Sequence, residues 1–133
     1  MARILVIDDD VAARRVVRNT LERAGHTVVL AECCHDGADA IEAFAFDVAL
    51  VDIFRPGMDG LATIRVFRES APTLPIIVMS GYVFRGAAGP APDFFRMAVD
   101  LGAATCLHKP FKAAALLRAL DFCIDMMRTP AVA

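Results

Sequence analysis

The chain has 133 residues, which suits a single domain with one core, and 57% of them are hydrophobic. No apolar run is long enough to span a bilayer and no signal-peptide pattern is visible, so we expect a cytoplasmic protein without a membrane partner. A formal net charge of −2 gives no general attraction to nucleic acid, which argues against direct nucleic-acid binding.

Strand and helix patterns alternate along the chain. The predicted elements are, in order, a strand at 4–7, a helix at 10–24, a strand at 27–31, a helix opened by a turn at Asp36-Gly37, a strand at 47–51, a helix at 59–69, a strand at 76–79, a loop at 82–92, a helix at 93–101, a strand at 104–107 and a helix at 112–128. Asp10 is the predicted N-cap of the first helix and Gly25 its stop. The side chains predicted to face the core are Ala13, Val16, Val17, Leu21 and Ala24 in the first helix, Ala40, Ile41 and Phe44 in the second, and Leu116, Leu120, Cys123 and Met127 in the last.

Five strands alternating with five helices predict an α/β fold with a parallel sheet, right-handed crossovers and helices on both faces. The short apolar strands fit a doubly wound, three-layer arrangement. We expect one domain over residues 1–128, followed by a disordered tail at 129–133. The cysteines have neither C-x-x-C nor zinc-ligand spacing, and reduced thiols in or near the core are predicted at Cys33, Cys34, Cys106 and Cys123.

Polar signals follow four of the apolar runs, each where a strand would end. Asp8 and Asp9 follow the first run, Asp52 the third, Ser80 the fourth and Lys109 the fifth. The carboxyl ends of parallel strands lie along one edge of the sheet, where ligands bind. Each signal alone has an ordinary explanation as a helix start, a loop exit or a surface charge. Taken together and in this order, they predict one pocket for divalent metal and phosphate chemistry.

The chemistry of this pocket follows from its residue types. The acidic pair at the end of the first strand repels itself unless a cation lies near, and carboxylates with waters suit Mg²⁺. Asp52 is the candidate nucleophile, because a carboxylate can accept a phosphoryl group. Lys109 supplies an ammonium, Ser80 a hydroxyl and Gly81 an unobstructed backbone N–H to stabilise the transferred oxygens.

These motifs together resemble the receiver domain of two-component response regulators, over essentially the whole chain and in a stand-alone, chemotaxis-regulator-like form. The matching strings are Val6-Ile7-Asp8-Asp9, Asp52 with Pro56-Gly57-Met58-Asp59-Gly60, Met79-Ser80-Gly81, and Lys109-Pro110-Phe111. The resemblance implies a flavodoxin-like sandwich with strand order 2-1-3-4-5. It also implies a phosphorelay component whose Asp52 accepts phosphate from a sensor histidine kinase or a histidine phosphotransfer protein, and which then acts on a downstream protein. Such a domain is not a turnover enzyme on a separate substrate.

The resemblance also assigns roles to individual residues. Magnesium would be held by Asp8, Asp9, Asp52 and the backbone carbonyl of Phe54, and the phosphoryl group would be bound by Ser80, Gly81 and Lys109. The Lys109-Pro110 bond is expected to be cis. The phosphodonor would dock on the first helix, whose polar face carries Arg14, Arg15 and Arg18; the alternative is that these arginines form an ordinary solvated face.

Three features depart from the family pattern. Cys106 stands three residues before Lys109, where the family has an aromatic side chain that moves together with the serine, so the usual coupling between serine and aromatic residue is in doubt. The neighbouring His108 is either a pH-sensitive substitute or an ordinary strand-end histidine. The segment at 82–95 is longer than usual and is either a nonstandard output face or an idle loop. Phe54 and Tyr82 lie where the family controls water access, which predicts slow loss of phosphate.

Two other functions compete with the phospho-receiver. The first is a receiver-like interaction module that no longer needs phosphorylation, which Cys106 and the 82–95 segment favour. The second is a haloacid-dehalogenase-like phosphatase with Asp8 as nucleophile and Asp10 as acid. That family needs a further acidic motif after its lysine, and here only Asp121 and Asp125 follow, both on a predicted helix.

Overall fold

The computed structural model describes residues 1–55, 58–80 and 91–128, with side chains described except at 54–55, 58–60, 91–95 and 128. The strands in this part of the chain are β1 Arg3–Ile7, β2 Thr27–Ala31, β3 Val48–Asp52, β4 Phe54–Arg55, β5 Met58–Asp59, β6 Ile76–Ser80 and β7 Thr105–His108. The helices are α1 Val11–Arg23, α2 Cys34–Ala43, α3 Gly60–Ser70, α4 Ala91–Asp100 and α5 Ala113–Arg128. Among these helices, none is both long and apolar enough to cross a membrane.

The five long strands form one parallel sheet in the order β2-β1-β3-β6-β7. Counted without the two short strands, this is the predicted order 2-1-3-4-5. The short β4 and β5 pair with each other in an antiparallel ladder directly after β3, which the sequence did not predict.

The register of the sheet brings the strand ends together. Ile7 of β1 lies opposite Val51 of β3, so the residues that follow each of them, Asp8 and Asp52, leave the sheet at the same level. On the other side, Ser80 of β6 lies opposite His108 of β7, and Lys109 follows next. The predicted convergence of these polar residues is therefore a direct result of parallel pairing.

The core lies on both faces of the sheet, because successive side chains of a strand point to opposite sides. One face packs against α2, α3 and α4, with Ile64 and Phe67 fully buried. The other packs against α1 and α5, through Leu21 and Leu120 among others. The three-layer prediction is confirmed, and it explains why β1, β3 and β6 are apolar along nearly their whole length.

The predicted start of the second helix is wrong. Asp36 and Gly37 lie inside α2, which begins at Cys34, and do not form a turn. Gly37 is required by packing, because a Cβ there would lie 2.5 Å from Ile7 Cδ1 and 2.8 Å from Phe67 Cζ. A glycine that serves close approach looks the same in sequence as one that serves a turn.

The ends of α1 agree with the sequence. Asp10 is its N-cap, and the Asp10 side chain accepts a hydrogen bond from Ala12 N at 3.0 Å. After the helix, Gly25 adopts a φ of +92°, a conformation that favours glycine. Both residues act as predicted.

Four side chains predicted to face the core are exposed instead, and one of them is Ala24 at the end of α1. Val16 is 65% exposed, Met127 is 55% exposed and Phe44 is 48% exposed. The buried stripe of α1 runs through Val17 and Leu21, one turn apart, and Val16 lies about 100° around the helix from Val17. Phe44 follows α2 in an extended conformation and stacks edge-on with Phe46.

Several predictions fall outside the described residues. These are the loop at 82–90, Gly81, the Pro56-Gly57 turn and the tail at 129–133. The fourth helix begins at Ala91, two residues before its predicted start. None of the four cysteines forms a disulfide, as predicted.

Candidate functional site

Four predicted residues meet at the carboxyl edge of the sheet. Asp8, Asp52 and Ser80 are nearly inaccessible to solvent, with exposed fractions of 1%, 5% and 7%. The ammonium of Lys109 lies between the two carboxylates: Nζ donates to Asp8 Oδ2 in a short contact and to Asp52 Oδ2 at 3.0 Å. The centre of the site is therefore one cation shared by two buried anions.

Two opposing effects act on the pKa of Lys109. Burial of Lys109 favours the neutral amine, but the hydrogen bonds to Asp8 and Asp52 and the charges of both acids outweigh it and raise the pKa of the lysine. The lysine therefore stays charged at neutral pH. A buried pair of carboxylates without such a cation would repel strongly, and the ammonium of Lys109 offsets that repulsion.

Asp8 is held at each of its polar atoms. Its backbone N–H donates to Ala31 O at 3.2 Å, and its Oδ1 accepts from Asp10 N at 3.0 Å. Its Oδ2 accepts from Lys109, and its backbone carbonyl accepts from Arg14 Nη1 at 2.6 Å. This side chain has almost no freedom to move without breaking a bond.

Arg14 belongs to this site, which the sequence reasoning missed. Helical spacing predicts that Arg14 shares a polar docking face with Arg15 and Arg18, yet the Arg14 side chain is only 11% exposed and reaches back to Asp8. Its other terminal nitrogen lies 3.5 Å from Glu32. Arg18 pairs instead with Glu22 on the same helix, at 2.7 Å. The sequence signal that could have placed Arg14 in the site is its position in the first turn of α1, directly after the acidic pair.

The two other predicted metal ligands are Asp9 and the backbone carbonyl of Phe54. Asp9 is an exposed residue beside Asp8. Phe54 begins the short strand β4 and pairs with Asp59 of β5. Among the residues described, no three His, Cys, Asp or Glu side chains are arranged as a metal-binding group. Gly81 lies outside the described residues, so its contact with phosphate remains a prediction.

The switch positions lie on neighbouring strands. Val78, two residues before Ser80, lies opposite Cys106, and Ser80 itself lies opposite His108. Cys106 is partly buried and packs against the core on the α2–α3–α4 face. Burial raises the pKa of the Cys106 thiol, so it behaves as a small neutral side chain. Cys106 therefore fills a partly buried position in the core with a small side chain, at the position where the family has an aromatic residue.

A groove of about 380 Å³ opens beside the site, between the start of α1 and the segment that joins β7 to α5. Its lining is mostly apolar and consists of Asp10, Ala12, Ala13, Val16, Val17, Lys109, Pro110 and Phe111. The Lys109-Pro110 peptide bond at its inner end is cis, as predicted. The groove therefore leads from an exposed apolar helix face to the lysine of the site.

The chain is similar in sequence to known response regulators. The chain is 34% identical over 116 residues to the response regulator protein FleR of Pseudomonas aeruginosa, covering 87% of the chain and 23% of that protein. It is 38% identical over 120 residues to the response regulator MprA of Mycobacterium ulcerans, covering 86% of the chain and 47% of that protein. The chain thus spans less than half the length of these curated relatives.

Solved structures share the fold. A CheY-like response regulator receiver domain protein from Methanospirillum hungatei superposes with a TM-score of 0.84 at 26% identity, covering 96% of this chain and 97% of that one. The receiver domain of NtrX from Brucella abortus gives a TM-score of 0.82 at 30% identity, covering 92% and 98%. Residues 4–121 match the family described as the response regulator receiver domain. With its fold, its strand-end residues and this match in agreement, the chain belongs to the response regulator receiver domain family.

Proposed function

We propose that this receiver domain accepts a phosphoryl group on Asp52 and thereby switches its interaction with a partner protein. The observation that carries the proposal is the ammonium of Lys109 held between the buried carboxylates of Asp8 and Asp52. Such a centre is already built to neutralise anionic oxygens where Asp52 would react. The family is a signalling module and not an enzyme that turns over a separate substrate.

The transfer is a simple substitution at phosphorus. A carboxylate oxygen of Asp52 forms the new O–P bond while the N–P bond of a phosphohistidine breaks. The imidazole nitrogen keeps the electron pair of that bond and takes a proton from solvent, and Asp52 becomes an acyl phosphate. Lys109 pairs with the transferred oxygens, and Ser80, the last residue of β6, supplies a hydroxyl at the same edge.

The acidic residues suit a magnesium ion by their chemistry. Hard oxygen donors are present in Asp8 and Asp52, and both already hold a cation in the form of the lysine ammonium. Magnesium needs only one or two carboxylates and keeps several waters. We assign Asp8, Asp9, Asp52 and the backbone carbonyl of Phe54 as its ligands. When bound, the ion neutralises charge on the transferring phosphoryl group.

The docking surface for the phosphodonor is better placed on the apolar groove than on the arginines. Val11 and Val16 of α1 are 57% and 65% exposed, and Val16 lines the groove that ends at Lys109. A sensor histidine kinase or a phosphotransfer protein that lays an apolar helix face in this groove brings its phosphohistidine toward Asp52.

Since ATP that charges such kinases is cytoplasmic, the proposal places the protein in the cytoplasm, where its thiols also stay reduced.

Incubation with Mg²⁺ and acetyl phosphate, followed by mass spectrometry of the intact protein and its peptides, tests the proposal. One added phosphoryl group on Asp52, lost in Asp52→Asn but kept in the exposed Asp39→Asn control, is the expected result. No modification, with partner binding retained, would instead support the phosphorylation-independent module. Modification of Asp8 with steady phosphate release would support the phosphatase.

A further inference from the structure

Arg14 binds the main chain of the acidic pair in a way that none of the roles above uses. Its Nη1 donates to the carbonyl of Asp8 at 2.6 Å, and its side chain is only 11% exposed. Its Nη2 lies 3.5 Å from Glu32, the residue that follows β2. The guanidinium therefore links the end of β1 to α1 and to the residue after β2.

The carbonyl of Asp8 belongs to the peptide group that joins Asp8 to Asp9. That group is planar, so fixing its oxygen also fixes the direction of the Asp9 N–H and the position of the Asp9 Cα. Asp8 itself is held by Lys109 and by the N–H of Asp10. The bond from Arg14 to the Asp8 carbonyl therefore restricts how the peptide group toward Asp9 is turned.

We propose that Arg14 is a positioning residue for the divalent-cation site: its bond to the Asp8 carbonyl holds the two adjacent acids in the arrangement that binds the ion. This inference rests on the proposed function, because it assumes that Asp8 and Asp9 bind a cation. On the other side of the guanidinium, Nη2 lies 3.5 Å from Glu32, whose side chain is 72% exposed. The lysine bridge alone does not supply this constraint, since it acts on a carboxylate oxygen and not on the peptide.

A positioning role and a purely electrostatic one make opposite predictions. A positive charge near a cation site repels the ion, so removing Arg14 would strengthen Mg²⁺ binding if charge alone mattered. If Arg14 positions the ligands, removing it weakens binding, and residues that orient metal ligands typically contribute about 10- to 100-fold in affinity. The sign of the change therefore decides between them.

Isothermal titration of the whole protein with MgCl₂ at constant ionic strength measures this sign. We expect the dissociation constant for Mg²⁺ to increase from wild type to Arg14→Lys to Arg14→Ala, with the alanine variant binding about 10-fold more weakly or worse than wild type. Lysine keeps the charge and can still donate to the carbonyl, but cannot also reach Glu32 with a second nitrogen. Arg23→Gln, which removes a charge from the exposed last turn of α1, should match wild type.

A second readout separates positioning from damage to the reaction itself. In Arg14→Ala, the Mg²⁺ concentration for half-maximal phosphorylation by acetyl phosphate should rise, while the rate at saturating Mg²⁺ stays near that of wild type. Binding by Arg14→Ala equal to or tighter than wild type overturns the inference. If that variant does not fold by circular dichroism, Arg14→Lys decides, and affinity equal to wild type overturns it. Absence of Mg²⁺ binding by wild type would instead refute the magnesium assignment of the proposed function.

Discussion

Replacing Lys109 with alanine removes the cation between two buried acids. Asp8 and Asp52 are 1% and 5% exposed, so neither carboxylate can recover its hydration in the folded state. Breaking a buried ion pair in this way costs about 3–5 kcal/mol. The lysine side chain is 20% exposed, which admits some solvent screening, and we expect a loss of about 2–4 kcal/mol. For a domain of this size, that lowers the Tm by about 6–15 °C.

The loss should depend on pH, and its sign follows from linkage. Burial lowers the pKa of Lys109, but its hydrogen bonds to Asp8 and Asp52 and the charges of both acids outweigh burial and raise that pKa. A group with a raised folded pKa contributes stability that is complete below the unfolded pKa and is lost as the pH rises through the folded pKa. The stability deficit of Lys109→Ala relative to wild type should therefore be full at neutral pH and shrink above about pH 10.

Urea unfolding in EDTA, followed by far-UV circular dichroism because the chain has no tryptophan, measures the deficit. Adding Asp52→Asn to Lys109→Ala removes one of the opposing charges and should restore part of the stability. Lys112→Ala, an exposed lysine three residues along, is the control and should change little. A deficit below about 0.5 kcal/mol, or one that does not vary with pH, would refute the reasoning that the bridge neutralises both acids.

Three further predictions concern stability. Burial, and then the N-terminal charge, lower the pKa of His26, whose Nδ1 accepts a hydrogen bond from Ala2 N at 3.1 Å. The contribution of His26 to stability should therefore be complete above its ordinary pKa of 6.5 and decrease as the pH falls below that value. Urea titrations across pH should show that His26→Gln lacks this pH-dependent contribution. Gly37→Ala should cost about 1–3 kcal/mol by urea unfolding, because the added methyl overlaps two core side chains, and a neutral effect would contradict the packing account. Gly102→Ala, at a φ of +108°, should cost about 1 kcal/mol or more and exceed Gly25→Ala, whose added methyl meets nothing closer than 4.0 Å; equal thermal shifts would assign the whole cost to the backbone.

The fold and the centre of the site could be predicted because both depend on features that one sequence displays. Short apolar runs separated by helical periods specify a parallel sheet, and parallel pairing then aligns the strand ends. Asp52 closes β3 and Ser80 closes β6, so their meeting needs no information beyond the order of the strands. Lys109 was found for the same reason, as the first residue after β7.

The failed predictions share a different cause, which is packing between elements distant in sequence. The sequence around Gly37 predicts a turn, because nothing local reveals that Ile7 and Phe67 pack closely against this glycine. Val16 has the apolar character of a core residue, yet the face of α1 that meets the sheet runs through Val17. Helical periodicity predicts that a stripe exists, but residues at its border are assigned only by the angle at which the helix packs.

Arg14 shows why a charged residue is the hardest to place from sequence. Three arginines lie within five residues of α1, and helical spacing alone treats them as one polar face. The structure separates them by partner: Arg14 turns toward the Asp8 carbonyl while Arg18 pairs along the helix with an exposed glutamate. A long side chain can serve either purpose, and the choice depends on whether a buried acceptor lies within reach. The carbonyl of Asp8 is such an acceptor because the parallel strand ends there, so the same register that assembles the acids also draws in the arginine.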